Sequence, residues 1–309
     1  MASHLQRVKS KLSIFAHRKA RGMLEGQYGS VSSGRSLDFD DLRAYVPGDE
    51  VRDIDWKATA RHGSPLVRRY LAVRRQTLVL VTDTGRNMAA VSREGEPKKD
   101  IAVLALGVMG YLAYRHGDAV GLVCGDGAGT RALPGKSGEA HLERLLRDVH
   151  DTTSLDSAPS RLETQLDYVV RNFSQRMLLL IVADELLPDA ETERVLRRLR
   201  AQHEILWLTV RDAELLGARA DCYADSYDVA GTTAGTRSGG PAGPRSGLLP
   251  GGLADSATLA AAYARARDDR DAARQSMLRR LGIAETDAGS SDDVIPAVFT
   301  LLARHRRRR

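Results

Sequence analysis

The chain has 309 residues, of which 42% are apolar and only 5% aromatic, and its formal net charge is +6 with a sequence pI of about 9.4. That length supports one large or two modest domains around an aliphatic core. No apolar run reaches the roughly 18 residues of a membrane helix, the first residues lack the apolar stretch of a cleavable signal, and Cys124 and Cys222 make neither a disulfide framework nor a metal spacing; the expectation is a soluble cytoplasmic protein.

Along residues 3–25, Leu5, Val8, Leu12 and Phe15 recur at helical spacing with Lys and Arg between them. This predicts a basic amphipathic helix, packed on the main body rather than on a membrane because its apolar face is narrow. Residues 27–34 read as a loop. Residues 35–61 then alternate charges with large apolar side chains around a Pro47-Gly48 turn. Two readings stand for this segment. In one it is a brace: Arg43 and Arg52 pair with Asp49, Asp53 or Asp55, and Trp56 packs over the sheet. In the other it is a partner-docking surface. Charges this dense usually satisfy one another, which favours the brace. After a Gly63-Ser64-Pro65 turn, residues 66–72 read as an edge strand.

Thr77, Leu78, Val79, Leu80, Val81 and Thr82 form an unbroken apolar and β-branched run. Such a run predicts a central strand covered on both faces. It stops at Asp83, and the carboxyl end of a parallel strand is where open α/β sheets hold their ligands. The competing reading is that Asp83 merely caps the next helix or turn.

Residues 97–115 are a helix with Ile101, Leu104, Val108 and Leu112 on one side, ended by Gly117. Residues 118–124 are a second strand. The GDGAG that follows is a hairpin turn rather than a dinucleotide fingerprint, because no helix follows it, and 130–133 is the returning strand. GTRALPGKS, 129–137, mimics a phosphate loop. Its spacing puts Thr130 where the first glycine belongs, and Pro134 removes a backbone donor. It reads as a turn into a helix over 139–150.

Residues 160–173 form a helix with Leu162, Leu166, Val169 and Val170 inward and Ser160 as N-cap. MLLLIVA, 177–183, is a second buried strand, and it too ends on an aspartate, Asp184. A helix over 189–200, a core strand over 204–210 and a short edge strand over 223–230 complete the alternation expected of a doubly wound α/β sheet. Residues 231–254 are rich in Gly, Pro, Ser and Thr and read as a linker. Ser256 caps a helix running to Leu281 with Gly282 after its end; the middle of that helix, 264–276, is charged all round and reads as solvent-facing. A last helix begins at Ile295 and ends in the basic tail 304–309.

The run DFDDLRAYVPGDEVRDIDWKATAR, 38–61, is followed by LVRRY and by an apolar strand ending in Asp. Together they closely resemble the bacterial domain-of-unknown-function-58 family, whose members show a PGD turn, an R-x-I-D-W-K element and a strand ending in D-x-S-x-S. The resemblance implies a von Willebrand factor A-like domain: a doubly wound, mostly parallel sheet flanked by helices, here over 76–230. A family-specific extension would occupy 1–75, a linker 231–254 and C-terminal helices 255–309. It also implies a non-enzymatic adaptor or co-chaperone that works with a MoxR-type AAA+ ATPase.

A-type domains carry a metal-ion-dependent adhesion site, and the resemblance carries it over residue by residue. Asp83 takes the first position, Gly85 and Asn87 replace the two serines, Ser160 stands where the second-loop hydroxyl belongs, and Asp184 is the last aspartate. Oxygen donors of this kind suit magnesium, and other proteins would bind at Asp83, Gly85, Arg86 and Asp184. Gly85 offers no side-chain oxygen, so the alternative is a site held by hydrogen bonds that include Arg86. Independently of any family, two strand-end carboxylates close together require a cation or an arginine between them, or a proton on one. No catalytic signature is present: no nucleophile elbow, HExxH or CxxC. Two rival functions remain. One is nucleic-acid binding through the basic helix and arginine tail, for which no interleaved aromatics are available to stack on bases. The other is a metal-dependent phosphohydrolase built on the paired aspartates.

Overall fold

The computed structural model describes residues 3–18, 37–47, 49–72, 76–185, 189–214 and 257–307. The chain groups into two compact units, 32–76 and the remainder, 1–31 with 77–309. The basic N-terminal helix therefore groups with the sheet, where the sequence alone sets it with the segment that follows.

In the smaller unit, β1 (Leu37–Ala44) pairs antiparallel with β2 (Leu66–Ala72), with a register shift between Phe39 and Asp41. The expected strand over 66–72 is thus present; its partner, LDFDDLRA, is too acidic to announce itself as a strand. The N-terminal helix is α1 (His4–Arg18); between β1 and β2 lie a 3-10 turn, Val51–Asp53, and a short helix, α2 (Trp56–His62). Asp55 caps α2 by accepting from the N–H groups of Lys57 and Ala58 at 3.1 and 3.0 Å. Gly63 ends it at φ 79°, a left-handed conformation that glycine adopts without penalty.

The larger unit runs from α1 to β3 (Thr77–Asp83), α3 (Arg86–Ala89), α4 (Lys98–Arg115), β4 (Ala119–Asp126), β5 (Gly129–Lys136), α5 (Glu139–Thr152), α6 (Leu162–Asn172), β6 (Leu178–Asp184), α7 (Ala190–Gln202) and β7 (Glu204–Val210). It closes with α8 (Ala257–Arg280), β8 (Ala284–Ala288) and α9 (Val294–Arg307). The sheet order is β5-β4-β3-β6-β7-β8. Every neighbouring pair is parallel except the β4–β5 hairpin. This is the mostly parallel α/β sheet flanked by helices that the A-type resemblance implied. The hairpin expected at GDGAG is present, and the segment that mimics a phosphate loop is strand β5.

Because successive side chains of a strand point to opposite faces, Leu78 and Leu80 enter one core with α1, α4, α5 and α9. Val79 and Val81 enter the other with α6, α7 and α8. This two-sided burial is why the central strands read as unbroken apolar runs. Leu5, Val8 and Leu12 of α1 are buried, as the helical spacing predicts. Helix α4 accepts its neighbours closely through two glycines: a Cβ at Gly107 would lie 2.5 Å from Val8 of α1, and one at Gly110 2.6 Å from Leu142 of α5.

Three expectations need correction. The sixth strand is β8, AETDA, which alternates buried Ala284, Thr286 and Ala288 with half-buried Glu285 and exposed Asp287 and carries no apolar run to betray it. The middle of α8 is not wholly solvent-facing: Arg274 is 0% exposed and ion-pairs with Asp271 and Glu285, both at 2.8 Å. Ser160 does not cap α6; Arg161 occupies that position and its side chain makes no capping bond. The expected strand at 223–230, the linker at 231–254 and the cap at Ser256 lie outside the described residues. Among the described residues, no helix is long and apolar enough to cross a membrane.

Candidate functional site at the strand-end rim

β3 and β6 run side by side in register from Leu78↔Leu178 to Thr82↔Val182. Asp83 and Asp184 therefore emerge at the same edge of the sheet, the edge predicted from sequence. Both are buried, at 3% and 7% exposure. Three loops are laced together around them. Thr84 N–H donates to Gly125 O at 2.7 Å, Arg86 N–H to Ala158 O at 3.1 Å and Gly127 N–H to Pro159 O at 2.8 Å, and Ala158 N–H donates to Asp126 Oδ2 at 3.2 Å.

Asp83 is the hub of this lacing and not merely a local cap. Its Oδ1 accepts from Gly85 N–H and its Oδ2 from Arg161 N–H, each at 2.6 Å. Burial pushes its carboxyl up to about 6; the nearby Ser160 hydroxyl and the two N–H donors pull the other way, and the charge of Asp184 adds to the rise. Ser160 Oγ is close enough to favour the ionised carboxylate, but it is buried without a well-aligned hydrogen bond of its own.

The glycine at position 85 has a physical cause. A Cβ there would stand 2.6 Å from Ser160 Cα, N and Oγ. The Ser160 backbone fills the place where an adhesion-site serine would project. Arg86 and Asn87 are buried on α3. Arg86 contributes its backbone N–H to the lacing, while its Nε has no hydrogen-bond partner.

Asp184 is held differently. Its Oδ1 accepts from Glu185 N–H at 2.6 Å and from Lys98 Nζ at 3.0 Å. Lys98, the first residue of α4, is 1% exposed and also ion-pairs with Asp212, two residues past β7. Burial alone would lower the Lys98 pKa, yet the two carboxylates keep it above its ordinary value. Asp212 is pushed up to about 7, by burial first and then by Asp184, with Lys98 opposing. Its side chain lines a cleft of about 170 Å³ with Glu185, Arg211 and Asp271.

Sequence reasoning asks for a cation near the paired aspartates but does not find Lys98. The start of α4, PKKD, looks like an ordinary solvated helix end. The signal available was electrostatic: a cation in the first turn opposes the helix dipole and so implies an acidic partner elsewhere. With that ammonium on Asp184, both Asp83 oxygens engaged by backbone donors and no oxygen at Gly85, the donor set does not fit a resident magnesium ion. Among the described residues, no three His, Cys, Asp or Glu side chains converge in a way that could hold a metal.

The PGDE segment is braced in part. Arg43 donates to both Asp49 oxygens, at 2.7 and 2.6 Å, and the Asp49 carboxyl is held below its ordinary value by that guanidinium. Asp55 serves α2 as its cap. Asp53 lies half-buried in the 3-10 turn, and the Arg52 side chain lies outside the description. Trp56 is 64% exposed, and Val46 and Val51 of the same segment are 56% and 62% exposed. In the basic tail, Arg304 donates to Glu285 O at 2.6 Å, so that residue is engaged by the fold.

A family model described as "Protein of unknown function DUF58" matches residues 41–216. Uncharacterized proteins of Mycobacterium bovis and Mycobacterium tuberculosis are 30% identical to the chain over 211 residues, 66% of its length and 65% of theirs. The chain thus spans about 65% of the length of these curated relatives. Among solved structures, an aerotolerance-related membrane protein from Bacteroides fragilis is similar at 11% identity and a TM-score of 0.45, over 74% of this chain and 99% of that one. A von Willebrand factor type A protein from Catenulispora acidiphila is similar at 9% identity and a TM-score of 0.40, over 89% of this chain and 51% of that one.

Proposed function

The chain belongs to the DUF58 family, and from that premise we propose that it is a non-enzymatic protein-interaction module, an adaptor or co-chaperone for a MoxR-type AAA+ ATPase. Partners engage it at the strand-end rim around Asp83 and Asp184. The observation that carries this reading is the convergence at one edge of the sheet of two aspartates from separate strands, with three loops fastened around Asp83. Such a rim offers a rigid, loop-built face on a stable scaffold, the usual setting for recognition in open α/β sheets. A partner that consumes nucleotide implies a cytoplasmic site of action. Lys98 argues against the phosphohydrolase alternative, because it neutralises the carboxylate that a catalytic metal would need.

The test is capture of a MoxR-type ATPase from the same organism by the purified full chain. Arg161→Glu reverses an exposed charge on the rim, and only the backbone of Arg161 holds Asp83. Asp83→Ala unfastens the loops. Both variants, checked for fold by circular dichroism, are expected to lose capture. Undiminished capture by both would remove the rim from the account.

A further inference from the structure

We infer that the Lys98 ammonium is the resident cation of the strand-end rim, holding Asp184 and Asp212 together where a divalent metal would otherwise sit, so that the rim is assembled without metal. This deepens the reading of the same rim as a partner face.

The geometry carries the inference. One oxygen of Asp184, at the end of β6, and one of Asp212, just past β7, converge on a single buried nitrogen. Two carboxylates meeting at one point are what a hard cation uses, and magnesium commonly binds through one or two carboxylates and completes its shell with water. Here the point is taken by an ammonium on a covalent tether. The tether is anchored: Lys98 N–H donates to Ala90 O at 2.9 Å, and Ser92, in the same turn, forms a β-bridge with Asp212. One side chain therefore ties the start of α4 to the ends of two strands. The buried Asp184 and the partly exposed Asp212 would repel one another and carry a desolvation cost with no counter-charge between them, and a cation placed there removes both. A lysine meets that need at every metal concentration and cannot be removed by a chelator.

The test uses the full chain alone, so it can fail while ATPase capture succeeds, and the reverse. Manganese binding is read by electron paramagnetic resonance, and the thermal midpoint is measured with magnesium, with manganese and with EDTA. The wild-type chain is expected to show no saturable manganese binding and the same midpoint in all three. Lys98→Ala removes the ammonium and leaves both carboxylates and an opening. It is expected to bind manganese about tenfold or more tighter than wild type, through the two carboxylates and water, and its midpoint should rise with manganese. Lys98→Met fills the opening without charge and should gain nothing. Adding Asp184→Asn to Lys98→Ala should abolish the gain. Saturable manganese binding by the wild-type chain that is lost in Asp184→Asn would overturn the inference, and this arm needs no Lys98 variant to fold. A folded Lys98→Ala chain that binds no manganese would overturn it as well.

Discussion

Gly85→Ser restores the serine of an adhesion-site motif and should damage the protein. The added Cβ would fall 2.6 Å from three atoms of Ser160, two of them backbone, so no rotamer change relieves the clash. Forcing a side chain into a packed position costs about 1–3 kcal/mol. If the 157–161 loop retreats instead, the bond from Arg161 N–H to Asp83 is lost, at about 1.5–3 kcal/mol for a charged acceptor, and that from Arg86 N–H to Ala158 O at about 1 kcal/mol. The first route gives a loss of about 1–3 kcal/mol and the second about 2.5–4 kcal/mol, with a fall in thermal midpoint of about 2–8 °C. The assay is urea unfolding followed by far-ultraviolet circular dichroism. Gly85→Ala, which adds only the clashing atom, should show most of the loss. A Gly85→Ser chain with the wild-type midpoint and slope would refute the close approach of the two loops and the reason given for the glycine.

Other consequences follow from the same rim and from the contrast between the two tryptophans. The Asp83 carboxyl rises from 3.8 to about 6 on folding; its contribution to stability is therefore fully present below about pH 4 and is lost as pH climbs through 6, by roughly 3 kcal/mol at most. Unfolding free energies measured from pH 4 to 8 should lose that part of the slope in Asp83→Asn, and curves parallel to wild type would refute it. Lys98→Met leaves the buried Asp184 and the partly exposed Asp212 without a counter-charge and should cost about 1–3 kcal/mol at pH 8, less at acidic pH as a carboxylate takes up a proton; an unchanged urea midpoint would contradict the triad. Trp207, 1% exposed, and Trp56, 64% exposed, should separate cleanly. Trp207→Ala is expected to cost about 3–5 kcal/mol and Trp56→Ala less than about 1 kcal/mol, both read from denaturant titrations.

The sheet was legible where burial is two-sided. The runs at Leu78–Val81, Leu178–Ala183 and Ile205–Val210 are apolar because both faces are covered, and their parallel alternation with helices fixed the shared edge of Asp83 and Asp184. What escaped is governed by contacts distant in sequence. β8 needs only three small buried side chains, so AETDA carries no strand signal. Lys98 and Arg274 look solvated because their counter-ions lie 86 residues away at Asp184 and 11 residues away at Glu285. Ser160 has the chemistry of an N-cap, but the chain at that point is drawn toward Asp83 and the helix begins later.

The most direct test of the rim as the working face is hydrogen–deuterium exchange of the full chain, alone and bound to its MoxR-type ATPase. Protection on binding is expected at residues 83–88, 125–128 and 157–161, in the presence of EDTA as well as magnesium. Protection confined to residues 46–62, with exchange at the rim unchanged, would contradict the account.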